Sequence, residues 1–557
     1  MRNSALLFAL ALLVAACRGP EGARATNAAG GTMIVGIGGD VVDALPPFVG
    51  EQNGRMVQDL VFDRLAEIDS SLTTVGDKTF APRLAKRWTW APDSLSIAFE
   101  IDPRARWHDG KPVTASDVRY SFRVFTDTSV GSPAASLLTN LDSVSVRDSS
   151  TAVVWFKRHT AEQFYDVAYQ LVIMPEHVYG SIPLNQLHTS EAAHRLVGSG
   201  QFRVGDWKPG VHLELLADTA NYRGRPKLDR VVLTPVDVPT GETQVLTGQS
   251  DFMEAFPTDH VAKLADNPNA RLLVVRKLGY TFMGMNQFDP NRKNAPHPMF
   301  SDRRVRRALS MAVDREGLVR NVFGDNGHLG HGPFPMGLGV ADSTLHVPPY
   351  DTAAAAALLD SAGWRRGTGG VRSKAGRPLH FSLLVFNTSV RNLRYAELLQ
   401  EQFRRAGAQV DVDRVAPNVF FPRLLQGKFD AIINAFGTDP SPGGAKQNWG
   451  TSGFTPQGQN FLHYSNPRVD ALLDSATFSF DAGKRKAYAS GAFQQIIDDL
   501  PAIWLFDFTY TAAVNRRIEP ATMRLDEWWA NLADWSISPD KRIERDRIGL
   551  APATSKP

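Results

Sequence analysis

A segment of alternating strands and helices between residues 379 and 436 constrains the fold more than any other part of this sequence. Its three apolar runs have the length of buried strands, and the two amphipathic runs between them end at Gly407 and Gly427. The predicted elements are a strand at 379–386, a helix at 393–403, a strand at 410–415, a helix at 419–425 and a strand at 430–436. A βαβαβ unit of this kind places its strands in one sheet with parallel neighbours, so the fold class is α/β.

The predicted sheet also predicts where a ligand binds. Open α/β sheets bind ligands outside the carboxyl ends of their strands. Here those ends are residues 387–389, 416–418 and 437–441. Asn387 and Asp439 fall within them, and an Asp followed by a proline also suits a simple turn.

A second local unit lies between residues 95 and 122. Alternating residues predict a half-buried strand at 95–101, and Asp109-Gly110 predicts a tight turn. Thr114 can cap the helix that follows, and Asp117 then lies near the positive end of the helix dipole.

The amino terminus has the pattern of a secretory signal. Arg2 precedes an apolar run from Ala5 to Val14, which is too short to span a bilayer in the mature protein. Val14-Ala15-Ala16-Cys17 resembles the lipobox of bacterial lipoproteins, and Cys17 is the single cysteine of the chain. The resemblance implies that residues 1–17 are a lipoprotein signal peptide with Cys17 as the lipidated residue. Residues 18–32 are predicted to be a flexible tether. The expected location is the cell envelope or periplasm, with membrane attachment through the lipid.

Charge and motif searches argue against several kinds of partner. The net charge is +3, which does not favour a nucleic-acid-binding face. Gly36 and Gly38 only approach a dinucleotide-binding fingerprint, and Glu191 with His194 forms a lone E-x-x-H pair, which is a weak metal signal. We therefore expect no cofactor and no metal site.

Several longer strings resemble family 5 of the extracellular solute-binding proteins, the peptide- and nickel-type receptors of ABC importers. RARWHDGKPVTASDVRYSF at 104–122, VGSG at 197–200 and FSDRRVRRALSMAVDREGLV at 300–319 follow the motifs of that family in order. The resemblance implies a two-lobed, periplasmic-binding-protein-like clamshell (type II, cluster C-like) with an extra subdomain. The predicted boundaries are 33–58, 197–286 and 508–545 for lobe I, 59–196 for the extra subdomain, 287–507 for lobe II and 546–557 for a tail.

The resemblance also implies site residues. Asp439 falls where dipeptide and oligopeptide receptors carry an aspartate for the peptide ammonium group. The arginine that dipeptide receptors use for the peptide carboxylate falls on Phe386, which argues against a free dipeptide as ligand. Further candidates are Asn387, Phe436, Trp449 and Asn53, the last in the variable loop that helps to line the cleft of the family.

The function implied is that of a monomeric receptor that binds a peptide or another small solute and delivers it to ABC permease subunits. An envelope hydrolase is the alternative from another class, although no G-x-S-x-G or H-E-x-x-H motif is present. A chaperone or signalling receptor on the same scaffold is a third possibility, because a scaffold does not determine function.

Overall fold

The computed structural model describes residues 29–292, 294–387, 389–454 and 459–546. The predicted signal peptide, Cys17 and most of the predicted tail lie outside these residues. The helices are α1 (Gln52–Val61), α2 (Ala115–Thr126), α3 (Gln163–Ala168), α4 (Glu176–Tyr179), α5 (Val238–Thr247), α6 (Arg303–Met311), α7 (Arg315–Phe323), α8 (Thr352–Ser361), α9 (Val390–Ala406), α10 (Pro417–Leu425), α11 (Gly443–Trp449), α12 (Pro467–Phe478) and α13 (Ala482–Asp499).

The strands complete the inventory. They are β1 (Thr32–Ile37), β2 (Ala66–Ile68), β3 (Phe80–Pro82), β4 (Ala85–Trp90), β5 (Ser96–Ile101), β6 (Leu141–Asp148), β7 (Thr151–Phe156), β8 (Phe202–Lys208), β9 (His212–Ala217), β10 (Arg230–Pro235), β11 (Phe252–Met253), β12 (Ala270–Met285), β13 (Arg365–Arg366), β14 (Arg372–Lys374), β15 (Arg377–Pro378), β16 (His380–Phe386), β17 (Gln409–Val415), β18 (Ala431–Gly437), β19 (Ala502–Asn515), β20 (Ile518–Glu519) and β21 (Ser536–Ile537).

Among the described residues, one ten-stranded sheet runs through both lobes in the order β17-β16-β18-β12-β19-β11-β1-β10-β9-β8. Its two central strands, β12 and β19, are the longest and pair antiparallel along most of their length. One half of each strand belongs to lobe I and the other half to lobe II. The lobes are therefore joined by paired strands.

Lobe II contains the predicted βαβαβ unit. β16 pairs in parallel with β17 on one side and with β18 on the other, which confirms the parallel arrangement. The chain order therefore reverses between β16 and β18, and the carboxyl ends of these strands flank the crevice that an α/β sheet uses for ligands. Buried apolar side chains cover both faces of this sheet.

The extra subdomain contains a separate four-stranded sheet, β4-β5-β7-β6, with helix α2 packed against it. The predicted cap is present, because the backbone N–H of Thr114 donates to Asp117 Oδ2 at 2.8 Å. The apolar core of this subdomain is continuous with that of lobe I. Gly198 lies at the return to lobe I, where a β-carbon would lie 1.8 Å from the carbonyl oxygen of Val61, so only glycine permits this approach.

The strands change lobe at an irregularity in the β12–β19 pairing. The register shifts between Arg276 and Tyr280, opposite Phe508. A β-carbon on Gly279 would lie 2.3 Å from the Phe508 ring, so the glycine lets the two strands meet closely there. We call residues 277–279 and 508 the hinge.

Two predicted boundaries differ from the elements of the structure, whereas the predicted end of a lobe I segment at 286, one residue after β12, stays a prediction. Thr32 is the first residue of β1 and does not belong to the tether. Asp546 accepts a hydrogen bond from the N–H of Thr32 at 2.7 Å, so it belongs to lobe I and not to a tail.

Two further features bear on the sequence analysis. Glu191 and His194 lie in a short 3₁₀ helix, in which residues three positions apart share a face. Among the described residues, no helix has both the length and the apolar character needed to cross a bilayer.

Candidate functional site

The candidate site is a cleft between the lobes, at the carboxyl end of β18. It contains two adjoining cavities of about 440 and 750 Å³ that share the wall residues Gly437, Thr438 and Asp439. We call the first the hinge cavity, because Lys277, Leu278 and Phe508 line it. The second, the outer cavity, lies between the extra subdomain and lobe II. Their combined size suits a small organic solute or a short peptide.

Asp439 lies where the two cavities meet. Its Oδ2 accepts a hydrogen bond from Gln170 Nε2 at 3.2 Å, and its Oδ1 accepts one from the N–H of Ser441 at 3.1 Å. Burial, with a smaller contribution from the charge of Glu162, raises the pKa of Asp439 to about 6. Gln170 and the Ser441 backbone are its hydrogen-bond partners, and no cation lies within ion-pair distance of it among the described residues.

The other predicted site residues occupy different surroundings. Asn387 is exposed after β16, and its N–H donates to the Val415 carbonyl at 2.8 Å. Asn53 lies in α1, where its Nδ2 donates to the Gly39 carbonyl at 3.0 Å. Asn53 also lines a separate cavity of about 290 Å³ within lobe I.

Phe436 and Trp449 lie inside the core of lobe II, which differs from the contact with ligand that we expected. Trp449 is 1% exposed, and its Nε1 donates to the Tyr280 hydroxyl at 2.7 Å. The Phe436 ring packs against Tyr280, Phe282 and Trp449. These rings support the base of β18 and hold the loop that carries Asp439 in place.

The sequence analysis did not select several charged residues of the cleft. Arg55, Lys277 and Glu527 line the hinge cavity, and Asp166 lines the outer cavity. Lys277 forms an ion pair of 2.8 Å with Glu254. Burial raises the pKa of Glu527 to about 8. Lys277, together with Arg276, interrupts an apolar part of β12, and Asp166 interrupts an apolar run in α3, so the sequence pattern alone could have identified Lys277 and Asp166.

A buried polar cluster joins the extra subdomain to lobe II beside the outer cavity. Arg485 of α13 forms an ion pair with Glu162, and its Nη2 donates to Thr74 Oγ1 at 3.0 Å. The Ser441 hydroxyl donates to Glu162 Oε2 at 2.6 Å. We call Thr74, Glu162, Ser441 and Arg485 the interlobe cluster; all four residues are at most 8% exposed.

The interlobe cluster is continuous with the site. Ser441 bonds to Glu162 through its hydroxyl and to Asp439 through its N–H, so one short loop contacts both. Outside the cluster, the His159 and Phe480 rings lie 4.4 Å apart, and the guanidinium of Arg158 lies 4.6 Å from the Phe478 ring. The lobes are thus in contact in this structure.

Comparisons with known proteins agree with this architecture. The sequence model described as "Bacterial extracellular solute-binding proteins, family 5 Middle" matches residues 79–456. The oligopeptide-binding protein AppA of Bacillus subtilis is 23% identical over 545 residues, which cover 94% of this chain and 97% of AppA.

Solved structures give the same result for the fold. The structure of Bacillus subtilis AppA in complex with a nonapeptide covers 92% of this chain and 99% of its own, with a TM-score of 0.77 and 23% identity. NikZ from Campylobacter jejuni in complex with Ni(L-His) covers 91% of this chain and 99% of its own, with a TM-score of 0.76 and 21% identity. These likenesses establish a common two-lobed fold.

Proposed function

The chain belongs to the bacterial extracellular solute-binding proteins of family 5, and from that premise we propose that it captures a peptide or peptide-like solute and delivers it to the permease of an ABC importer. Its relative AppA is named an oligopeptide-binding protein, and the solved AppA structure contains a nonapeptide. NikZ binds a metal chelate on the same fold, so the fold alone does not select a peptide.

The observation that carries the proposal is the carboxylate of Asp439 in the interlobe cleft. It is ionised at neutral pH, has no cation of its own among the described residues, and lies where the two cavities meet. A peptide ammonium group supplies a positive charge and hydrogen-bond donors in a compact form, which suits this position. The role of Asp439 in this proposal is to bind the cationic end of the solute.

Solute binding is proposed to stabilise contact between the lobes. A solute held by the Asp439 loop on lobe II and by α1 or the extra subdomain on the other side interacts fully only when the cleft is closed. The hinge absorbs the change in angle between the lobes, and the interlobe cluster forms on closure. The closed protein then presents both lobes together to the permease.

Membrane attachment through Cys17 completes the proposal. The residue lies outside the described part of the chain, and the support is the sequence pattern at 5–17. Acylation at the end of a signal peptide keeps a soluble receptor close to its transporter, and two acyl chains anchor a protein stably where one does not.

Native mass spectrometry of the purified protein, followed by calorimetry with the solute it retains, tests the function. We expect a peptide to be recovered and Asp439→Asn to weaken its binding about ten- to hundredfold, because a charge-assisted hydrogen bond contributes about 1.5–3 kcal/mol. Asp325→Asn, which removes an exposed charge from lobe II, is the control. Recovery of a solute without a cationic group, with equal affinity for the Asp439→Asn variant, would refute the assignment.

A further inference from the structure

The outer cavity contains a second carboxyl group that the binding of one ammonium group does not use. Two carboxyl groups, Asp166 and Asp439, line it from opposite sides. The one cationic side chain in its wall, among the described residues, is Lys446, which is already paired with Asp474. Asp166 therefore remains without a counter-charge when a single cation occupies Asp439.

Asp166 is built into the wall of the cavity. It lies in the short helix α3, whose neighbouring side chains Phe164, Tyr165, Val167 and Ala168 are buried. Asp166 itself is half-buried, and its carboxyl group makes no hydrogen bond or ion pair within the described part of the chain. Burial, followed by the charges of Glu162 and Asp439, raises the pKa of Asp166 well above its usual value. A cation bound beside Asp166 favours its ionised form and so offsets the effect of burial and of the neighbouring negative charges.

Two further polar atoms of the wall have no hydrogen-bond partner among the described residues. Asn448 is 3% exposed, and its Oδ1 has no hydrogen-bond partner within the described residues. The Thr438 hydroxyl, in the wall shared with the hinge cavity, is buried and likewise unpaired. Buried polar atoms are nearly always hydrogen-bonded in folded proteins, so unpaired acceptors around a cavity indicate a ligand that donates hydrogen bonds.

We propose that the outer cavity binds the second positive charge of a dicationic solute, with one cationic group on Asp439 and the other on Asp166. A peptide with a lysine or arginine close to its free amino terminus has this chemistry, and so does a linear polyamine. The inference rests on the proposed function and narrows its solute class. The cavity, at about 750 Å³, has room for a long basic side chain beside the peptide backbone.

The alternatives fit the charges less well. An acidic side chain in this cavity would face two carboxyl groups, and like charges at close range disfavour binding. A neutral side chain offers the Asp166 carboxyl group no charge-assisted hydrogen bond in a site from which the ligand has displaced water. A cation removes both penalties.

Calorimetry with matched tripeptides tests the inference. Lys-Ala-Ala and Ala-Lys-Ala are compared at pH 7.5 with the same peptides carrying norleucine, which keeps the length of lysine without its charge. We expect at least a tenfold preference for one of the lysine peptides, since a hydrogen bond to a charged group is worth about a factor of ten or more. Spermidine and cadaverine form a separate arm that distinguishes a polyamine from a peptide.

Variants assign the preference to Asp166. Asp166→Asn should abolish the lysine preference, and its circular-dichroism spectrum and thermal unfolding report whether the variant is folded. Asp142→Asn removes an exposed charge from the same subdomain and should keep the preference. If a polyamine binds most tightly and Asp166→Asn abolishes that binding, the result would support the dicationic site with a polyamine, and not a peptide, as its solute.

Two results separate this inference from the proposed function. Equal affinity for lysine and norleucine peptides, or a lysine preference that survives in Asp166→Asn, would overturn the inference and leave peptide capture intact. Failure of every peptide and both polyamines to bind would overturn peptide capture and this inference together.

Discussion

Replacing Arg485 with methionine should weaken contact between the lobes. In the closed arrangement the variant leaves the buried Glu162 carboxylate without its cation, whereas in an open arrangement water solvates that carboxylate. Removal of one partner from a buried ion pair costs about 3–5 kcal/mol. The closed form should therefore lose about two to three and a half powers of ten in population relative to the open form.

Calorimetry and small-angle scattering both report the expected loss of the closed form. The apparent affinity for the solute falls with the fraction of protein able to close, so calorimetry should report a much weaker Kd. Small-angle scattering at a solute concentration that saturates the wild-type protein should give a larger radius of gyration for the variant. Lys484→Met, which removes the adjacent exposed charge of α13, is the matched control and should behave as the wild type.

A double variant tests whether the unpaired charge of Glu162 causes the loss of affinity in Arg485→Met. Glu162→Gln combined with Arg485→Met removes the uncompensated charge, so it should recover much of the lost affinity. An Arg485→Met protein with wild-type affinity and wild-type radius would refute the role of the interlobe cluster in closure. An equal loss of solute affinity in Arg485→Met and Lys484→Met would also refute the role of the interlobe cluster in closure.

The remaining predictions concern the anchor, the core and the acidic groups. Cys17→Ser should move the protein from the membrane fraction to the soluble fraction, and unchanged fractionation would assign the attachment to another segment. Trp449→Ala should lower the free energy of unfolding by about 3–5 kcal/mol in urea titrations, because it leaves a cavity in the lobe II core. Burial raises the pKa of Asp507 to about 7. An unfolded aspartate ionises near 3.9, so this group destabilises the fold increasingly as pH rises from about 4 through 7, by up to about 4 kcal/mol. Asp507→Asn should thus gain stability relative to the wild type between pH 5 and pH 8, and a constant difference would contradict the assignment.

Local signals were sufficient for much of the lobe II fold. Hydrophobic periodicity and the glycines at 407 and 427 predict the βαβαβ unit, because each element is set by residues close to it in sequence. The rule for the carboxyl ends of strands then leads to Asp439, which the structure places in the cleft. Family resemblance adds the two-lobed arrangement, which local patterns alone do not contain.

The orientation of aromatic residues was not predictable in the same way. Phe436 lies one position before the end of β18, and alternation along a strand determines whether its ring faces the core or the cleft. A prediction of the strand without its register leaves both choices open. The structure shows that the ring belongs to the core, with Trp449 packed against it.

Contacts between segments that are distant along the chain could not be predicted from the sequence either. Glu162 and Arg485 are 323 residues apart, and neither stands out from the other charged residues of the chain. Arg306 illustrates the same limit, because it is one of four arginines between 303 and 307 and yet is 5% exposed and donates to the carbonyls of Asp499 and Leu500. Such roles depend on which elements the fold brings together.

The arrangement of lobe I also determines when the protein can acquire its native structure. β1 pairs with β10 and β11, and β11 pairs in turn with β19. Arg517 then joins Asp251 to Asp546, whose carboxylate accepts the N–H of Thr32. A chain that is still being synthesised therefore cannot complete lobe I until residue 546 has emerged. Contacts between such distant residues form slowly. An export route that accepts unfolded chains would thus have time to take this protein before its first strand is locked in place.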